Sequence, residues 1–182
     1  GALRVLPNMV VATPGDPLEA RAITKISASY DGPMYIRLGK AGEKTVHTED
    51  SINLKIGDIC SLITREENQT AVLACGNILD AALRQINDEN LNYDLYSVPF
   101  VKPINKEQLI NIVKTHPAGL ITIEEHQRSC GMGSAIVEVL NDLYYEGDIE
   151  VFPKVKRIAI PDEFADVVGT QVFLREHEGL KL

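Results

Sequence analysis

An α/β protein is predicted: a three-layer α/β/α domain with a mostly parallel sheet, preceded by a partial strand–helix–strand unit of a second α/β domain. Three observations predict it. Strand-like apolar runs alternate with segments of helical periodicity along most of the 182 residues, the order that builds parallel sheets. The runs at residues 70–75 and 120–123 are almost continuously apolar, as strands covered on both faces should be. Between Gly39 and Asp58 the pattern fails, leaving a first unit of roughly 40 residues, too small to keep its own core.

The elements follow in order. The chain is apolar by Leu3, and residues 1–8 read as the tail of a helix, so the domain is expected to begin in preceding sequence. Residues 9–13 form a buried strand closed by Pro14-Gly15. Asp16 then caps a helix, Pro17 fits its first position, and Glu19 stands where a capping-box acid belongs. Leu18, Ala22, Ile26 and Tyr30 make its apolar face. Asp31-Gly32-Pro33 ends it, and residues 34–38 form a strand that should lie parallel to the first. Gly39, Gly42 and the charges Glu43, Lys44, Glu49 and Asp50 mark a connector.

The second part is more regular. The strand at 70–75 ends at Gly76, and a helix follows with Ile78, Leu79, Ala82, Leu83 and Ile86 on one side. Residues 95–98 form a strand, and Asn105 caps a helix with Gln108 at the box position. Residues 120–123 form a third strand, ending in Glu124-Glu125-His126. Gly131-Met132-Gly133-Ser134 opens a helix carrying Ile136, Val137, Leu140 and Leu143. Residues 155–160 are a fourth strand, broken by Pro161 and followed by a short Asp162-capped helix ending near Gly169.

Composition excludes several classes. A net charge of −8 argues against a general nucleic-acid binder, which needs clustered Lys and Arg. No apolar stretch approaches the ~18–20 residues of a membrane span. Three cysteines, Cys60, Cys75 and Cys130, are too few and too scattered for a disulfide framework or a zinc cluster, so a cytoplasmic protein is expected.

Ligands of open α/β sheets bind beyond the carboxyl ends of the strands, and four features fall there. Arg37 and Lys40, flanking Gly39, are two cations that could hold a substrate phosphate; the plainer reading is two solvated charges. Glu124-Glu125-His126 could be an acid/base pair or half a metal site. Side chains alternate along a strand, however, so the two carboxylates should point opposite ways and serve a structural or interface role. The glycines of Gly131 and Gly133 could expose helix-start N–H groups to an anion, or simply permit close packing. Cys75 reads as a core residue, and Cys130 lies near a helix start, where a thiol can be activated. No complete active site and no metal ligand set is legible.

Taken together, several segments resemble the transketolase family. Leu6-Pro7-Asn8 with Pro14, Asp16 and Glu19 resembles the segment closing the pyrimidine-binding domain of these thiamine diphosphate enzymes, and Gly32-Pro33 with Ile36-Arg37 resembles the strand after it. Ala74-Cys75-Gly76, Lys102-Pro103, Glu124-Glu125, Gly131 and Gly133, and Pro161-Asp162 resemble the family's carboxyl-terminal domain. The resemblance implies residues 1–45 as the truncated end of a pyrimidine-binding domain, 46–65 as linker and 66–182 as the C-terminal domain.

It further implies transfer of a two-carbon ketol unit between sugar phosphates. The alternatives within the family are 1-deoxyxylulose-5-phosphate synthase and the beta subunits of 2-oxo-acid dehydrogenases, where this domain serves partly as an assembly module. Arg37 and Lys40 fall on the family's substrate-phosphate strand, with Lys40 where an Arg is usual. The family's Gly-Asp-Gly magnesium motif is not present, since Gly57-Asp58 and Gly147-Asp148 are both followed by isoleucine. Thiamine diphosphate and magnesium are therefore expected in the parent enzyme and not on this chain, which should be inactive alone. None of His47, His116, His126 and His177 falls in a catalytic segment. The partners expected are a second copy in a homodimer, or the chain carrying the cofactor-binding domain.

Overall fold

The computed structural model describes residues 1–40, 42–49, 52–65 and 69–182. Asp50 of the charged stretch and the domain boundary expected at residue 66 lie outside them. The first unit pairs β1 (Val10–Ala12) in parallel with β2 (Met34–Ile36) across helix α1 (Pro17–Ser29), with Val10 opposite Met34. The Asp16 side chain accepts the Glu19 N–H at 2.8 Å, as its cap role requires. Glu19 departs from the capping box: its carboxylate accepts the Gly15 N–H at 2.6 Å, one residue before the cap.

Five strands form the larger sheet, in the order β3 (Cys60–Ile63), β5 (Asp94–Ser97), β4 (Thr70–Cys75), β7 (Gly119–Gln127) and β8 (Val155–Ile160). β4, β5, β7 and β8 are mutually parallel. Alternate residues of β4 enter different layers. Ala71, Leu73 and Cys75 pack with Leu109 and Ile112 of α3 (Lys106–Thr115) and Ile136 and Leu140 of α4 (Met132–Glu146). Val72 and Ala74 pack with Leu79, Ala82 and Ile86 of α2 (Leu79–Asp88). Period-two alternation on a sheet covered on both faces gives the three layers.

Three elements differ from the sequence reading. β3 (Cys60–Ile63), inside the stretch expected as linker, pairs antiparallel with β5 at the sheet edge. Its side chains are exposed or half-buried, so it lacks the apolar run that marks a strand. β6 (Phe100–Lys102) pairs antiparallel with β1 and gives the first unit a third strand. It brings fully buried Phe100 against Val10, Ala12 and Ile23, which is how the small unit acquires a core. The last helix, α5 (Gln171–His177), starts nine residues beyond Asp162: Thr170 accepts the Phe173 N–H and is the cap, while Asp162 accepts from Gln127 instead.

Asn105 caps α3 by accepting the Gln108 N–H at 3.1 Å and also donates to Asp58. Asn105→Ala is expected to destabilise the chain by about 1 kcal/mol. Equilibrium urea denaturation checks it, since the loss should move the midpoint with an unchanged slope.

Candidate functional site

A cleft of about 490 Å³ opens where the carboxyl ends of β1, β2, β4 and β7 meet. Its walls include Thr13, Tyr35, Arg37, Asn77 and Glu124 through Gln127. Strand ends are where an α/β sheet leaves backbone groups and side chains free to meet a ligand.

Arg37 follows β2 directly and stays in register through its N–H, which donates to the Ala12 carbonyl at 2.9 Å. Its guanidinium donates one bond, from Nη1 to the Glu125 carbonyl at 3.1 Å, and meets no carboxylate among the described residues. The side chain is exposed and lines the cleft. Lys40 is placed elsewhere: it lines a second, shallower cleft with Pro14, Gly15 and Glu43. Among the described residues Asn77 borders both clefts.

Glu124 and Glu125 point in opposite directions, as strand alternation dictates. Glu124 is buried and accepts the Met132 and Gly133 N–H groups at 2.6 and 2.8 Å. Burial pushes its carboxyl up, against the pull of those two N–H donors. The helix start that the sequence offered to an external anion is thus filled by the chain's own carboxylate. The glycines allow the approach. A Cβ on Gly131 would overlap both Glu124 oxygens, and one on Gly133 would stand 2.6 Å from Thr122 Oγ1. Gly133→Ala is expected to cost about 1–2 kcal/mol by overpacking, read as a lowered midpoint in thermal unfolding.

Glu125 turns toward α5, where it pairs with Arg175 and accepts from Gln171 at 3.2 Å. Arg175 also donates to the Asn77 carbonyl at 2.9 Å, so α5 braces the cleft wall from behind. Sequence reasoning missed Arg175 and Gln171, which lie 50 and 46 residues from Glu125. No local spacing signals that pairing. His126 lines the cleft, whereas His116 is buried against Asp94 at 3.0 Å in a structural pair.

Two of the three cysteines are held as thiols. Burial, with Glu124 and Glu19 nearby, drives the Cys75 thiol well above its usual range. Burial also pushes Cys60 up to about 12, helped by Glu19, Asp58 and Asp16. Cys130 is exposed on the left-handed turn before α4, with φ 62°.

Fold and cleft together define a class: a mostly parallel three-layer α/β domain whose strand-end cleft is shared with a small second sheet. Within that class the chain belongs to the transketolase family, since the family described as "Transketolase, C-terminal domain" matches residues 61–174. It is 33% identical over 165 residues to 1-deoxy-D-xylulose-5-phosphate synthase of Bordetella petrii, covering 90% of this chain and 25% of that protein. The same enzyme of Brevibacillus brevis is 30% identical over 169 residues, covering 90% and 26%. The chain therefore spans about a quarter of the length of these curated relatives. Among solved structures, a split-gene transketolase described as an inactive beta4 tetramer superposes with a TM-score of 0.82. Its identity is 33%, over 98% of this chain and 55% of that one. No helix among the described residues is long and apolar enough to cross a membrane.

Proposed function

We propose that this chain supplies the C-terminal domain, with the closing part of the pyrimidine-binding domain before it, to a cytoplasmic thiamine diphosphate enzyme. That enzyme moves a two-carbon ketol unit between sugar phosphates. Arg37 carries the proposal: a guanidinium held in place by one bond to the Glu125 carbonyl, at a cleft mouth, with no carboxylate partner among the described residues. A planar fork with free donors suits a phosphate dianion, which it can meet bidentately. In this reading Arg37 holds the phosphate end of the sugar, and Asn77 and His126 border the path of its hydroxyl-bearing chain.

The cofactor, when bound, supplies the electron sink for cleaving the ketose. The residues of this chain do not fit its metal-diphosphate end. The carboxylates at the cleft, Glu124 and Glu125, are both engaged, one by two backbone N–H groups and the other by Arg175. The cofactor and magnesium are therefore assigned to the chain, or the part of the polypeptide, that carries the remaining domains. Residues 1–45 and 66–182, joined by 46–65, are the proposed units, and a homodimer of the complete enzyme is the proposed assembly.

A second reading, 1-deoxyxylulose-5-phosphate synthase, is favoured by the curated relatives at 30–33% identity. One experiment separates the two. The chain is mixed with the polypeptide carrying the cofactor domains and assayed with a ketose phosphate donor, then with pyruvate and glyceraldehyde phosphate. Ketol transfer by the mixture and none by the chain alone is the expected result. Product only from pyruvate with glyceraldehyde phosphate would establish the second reading, and either product formed by this chain alone with added thiamine diphosphate would overturn the division of labour. A stable complex without either activity would make the domain an assembly module.

A further inference from the structure

Beneath the start of α1, three segments bring donor atoms to one point. Glu19 comes from the first turn of α1, His47 from the connector and Cys60 from the start of β3. One donor atom from each lies within 4.8 Å of the other two. The Glu19 and His47 side chains are 0% and 1% exposed, with Oε1 and Nε2 3.5 Å apart. Beyond that ion-pair contact neither atom has an aligned hydrogen bond, and the buried Ser97 hydroxyl, on the residue facing Cys60 across the β3–β5 pair, interacts with the Glu19 carboxylate without an aligned bond of its own. Unpartnered buried polar atoms are expensive, and several gathered in one place call for a missing partner.

Two partners are chemically possible. A proton on His47 would make an ion pair with Asp16 at 3.2 Å and Glu19 at 3.5 Å, but the thiol would have no part in it. A metal ion uses all three groups. Thiolate, imidazole and carboxylate together are the donor set of zinc. Asp16 adds an independent observation. Its Oδ2 stands 3.2 Å from His47 Nδ1, the ring nitrogen other than the one facing Glu19. The Asp16 carboxylate is itself pinned by the N–H groups of Glu19, Val46 and His47. A carboxylate behind a ligating imidazole is the usual support of such a site, orienting the ring and leaving the other nitrogen free for the metal.

We propose that Glu19, His47 and Cys60 bind one zinc ion, with Asp16 as the positioning residue behind His47 and a water at the fourth position beside Ser97. Bonds of about 2.0–2.3 Å at tetrahedral angles place ligand atoms roughly 3.3–3.8 Å apart, so the site closes with shifts on the order of 1 Å. Binding displaces the Cys60 thiol proton to solvent. The ion links α1 of the first unit to the edge strand of the larger sheet, and so fixes how the two halves of the cleft face each other. This site is independent of the activity proposed above.

The test uses the purified chain, freed of metal by a chelator and titrated with cobalt(II), then zinc(II), as the bare ions. Roughly one equivalent of cobalt is expected to give the near-ultraviolet thiolate-to-cobalt band and the visible absorption of a tetrahedral centre, both erased by roughly one equivalent of zinc. Cys60→Ser should remove the near-ultraviolet band and Cys130→Ser should leave it. Asp16→Asn, which keeps a helix cap, should weaken zinc about 10- to 100-fold while preserving the band. Should Cys60→Ser fail to fold, X-ray absorption of the zinc-loaded Cys130→Ser chain decides: it should show a sulfur ligand at about 2.3 Å. Absence of a cobalt spectrum, its persistence in folded Cys60→Ser, or zinc bound without a sulfur ligand would each overturn the site.

Discussion

Glu124→Ala is expected to lower stability by about 3 kcal/mol and the melting temperature by about 6–12 °C. The carboxylate satisfies the first two N–H groups of α4, Met132 and Gly133, where no backbone acceptor exists. Removing it orphans both donors at about 1–3 kcal/mol each. Water entering from the cleft, which Glu124 lines, keeps the loss in the lower half of that range. Glu124→Gln should fall between, because its amide oxygen can accept one N–H while its NH₂ faces the other. The pH dependence has a definite sign. Burial raises the folded-state carboxyl above its unfolded value, so the folded chain holds the proton longer. This group therefore favours folding in acid and loses that contribution as pH rises through the folded value. Glu124→Gln should lack that slope; an identical pH profile in the two proteins would mean that Glu124 does not titrate as described.

Arg37→Ala is expected to lower kcat/KM for a sugar phosphate by about 10- to 150-fold in the assembled enzyme, equivalent to the about 1.5–3 kcal/mol of a hydrogen bond to a charged group. The loss should appear mainly in KM, since the phosphate is remote from the reacting carbons and is bound alike in ground and transition states. Arg37→Lys restores charge without the fork and should recover only part of it. Lys40→Ala, in the neighbouring cleft, should change KM only a few-fold, as a screened surface charge would. Thermal unfolding of Arg37→Ala should be nearly unchanged, because its side chain is exposed and donates a single bond within the chain. An unchanged KM would refute the phosphate role.

Much of this was legible from local pattern. The β1–α1–β2 crossover, the Asp16 and Asn105 caps and the opposed directions of Glu124 and Glu125 all follow from short-range rules of periodicity and capping. β3 and β6 were not legible, because a strand of three or four residues at a sheet edge carries no continuous apolar run. The Asp162 cap was misread for a related reason. Asp162 and Thr170 are both cap candidates by residue type; Asp162 is taken by the Gln127 side chain arriving from β7, and Thr170 caps α5.

The sequence by itself determined the fold class, the family and the positions of the strand ends where Arg37 and Glu124 sit. Those properties depend on neighbours within a turn or a strand, and on motifs read in order. Tertiary structure alone decided what faces what. It closed the α4 helix start with Glu124, braced Glu125 with Arg175 and gathered Glu19, His47 and Cys60 at one point. Each of these is a contact between groups far apart in the chain, made only once burial of two apolar sheet faces has paid the entropy of bringing them together.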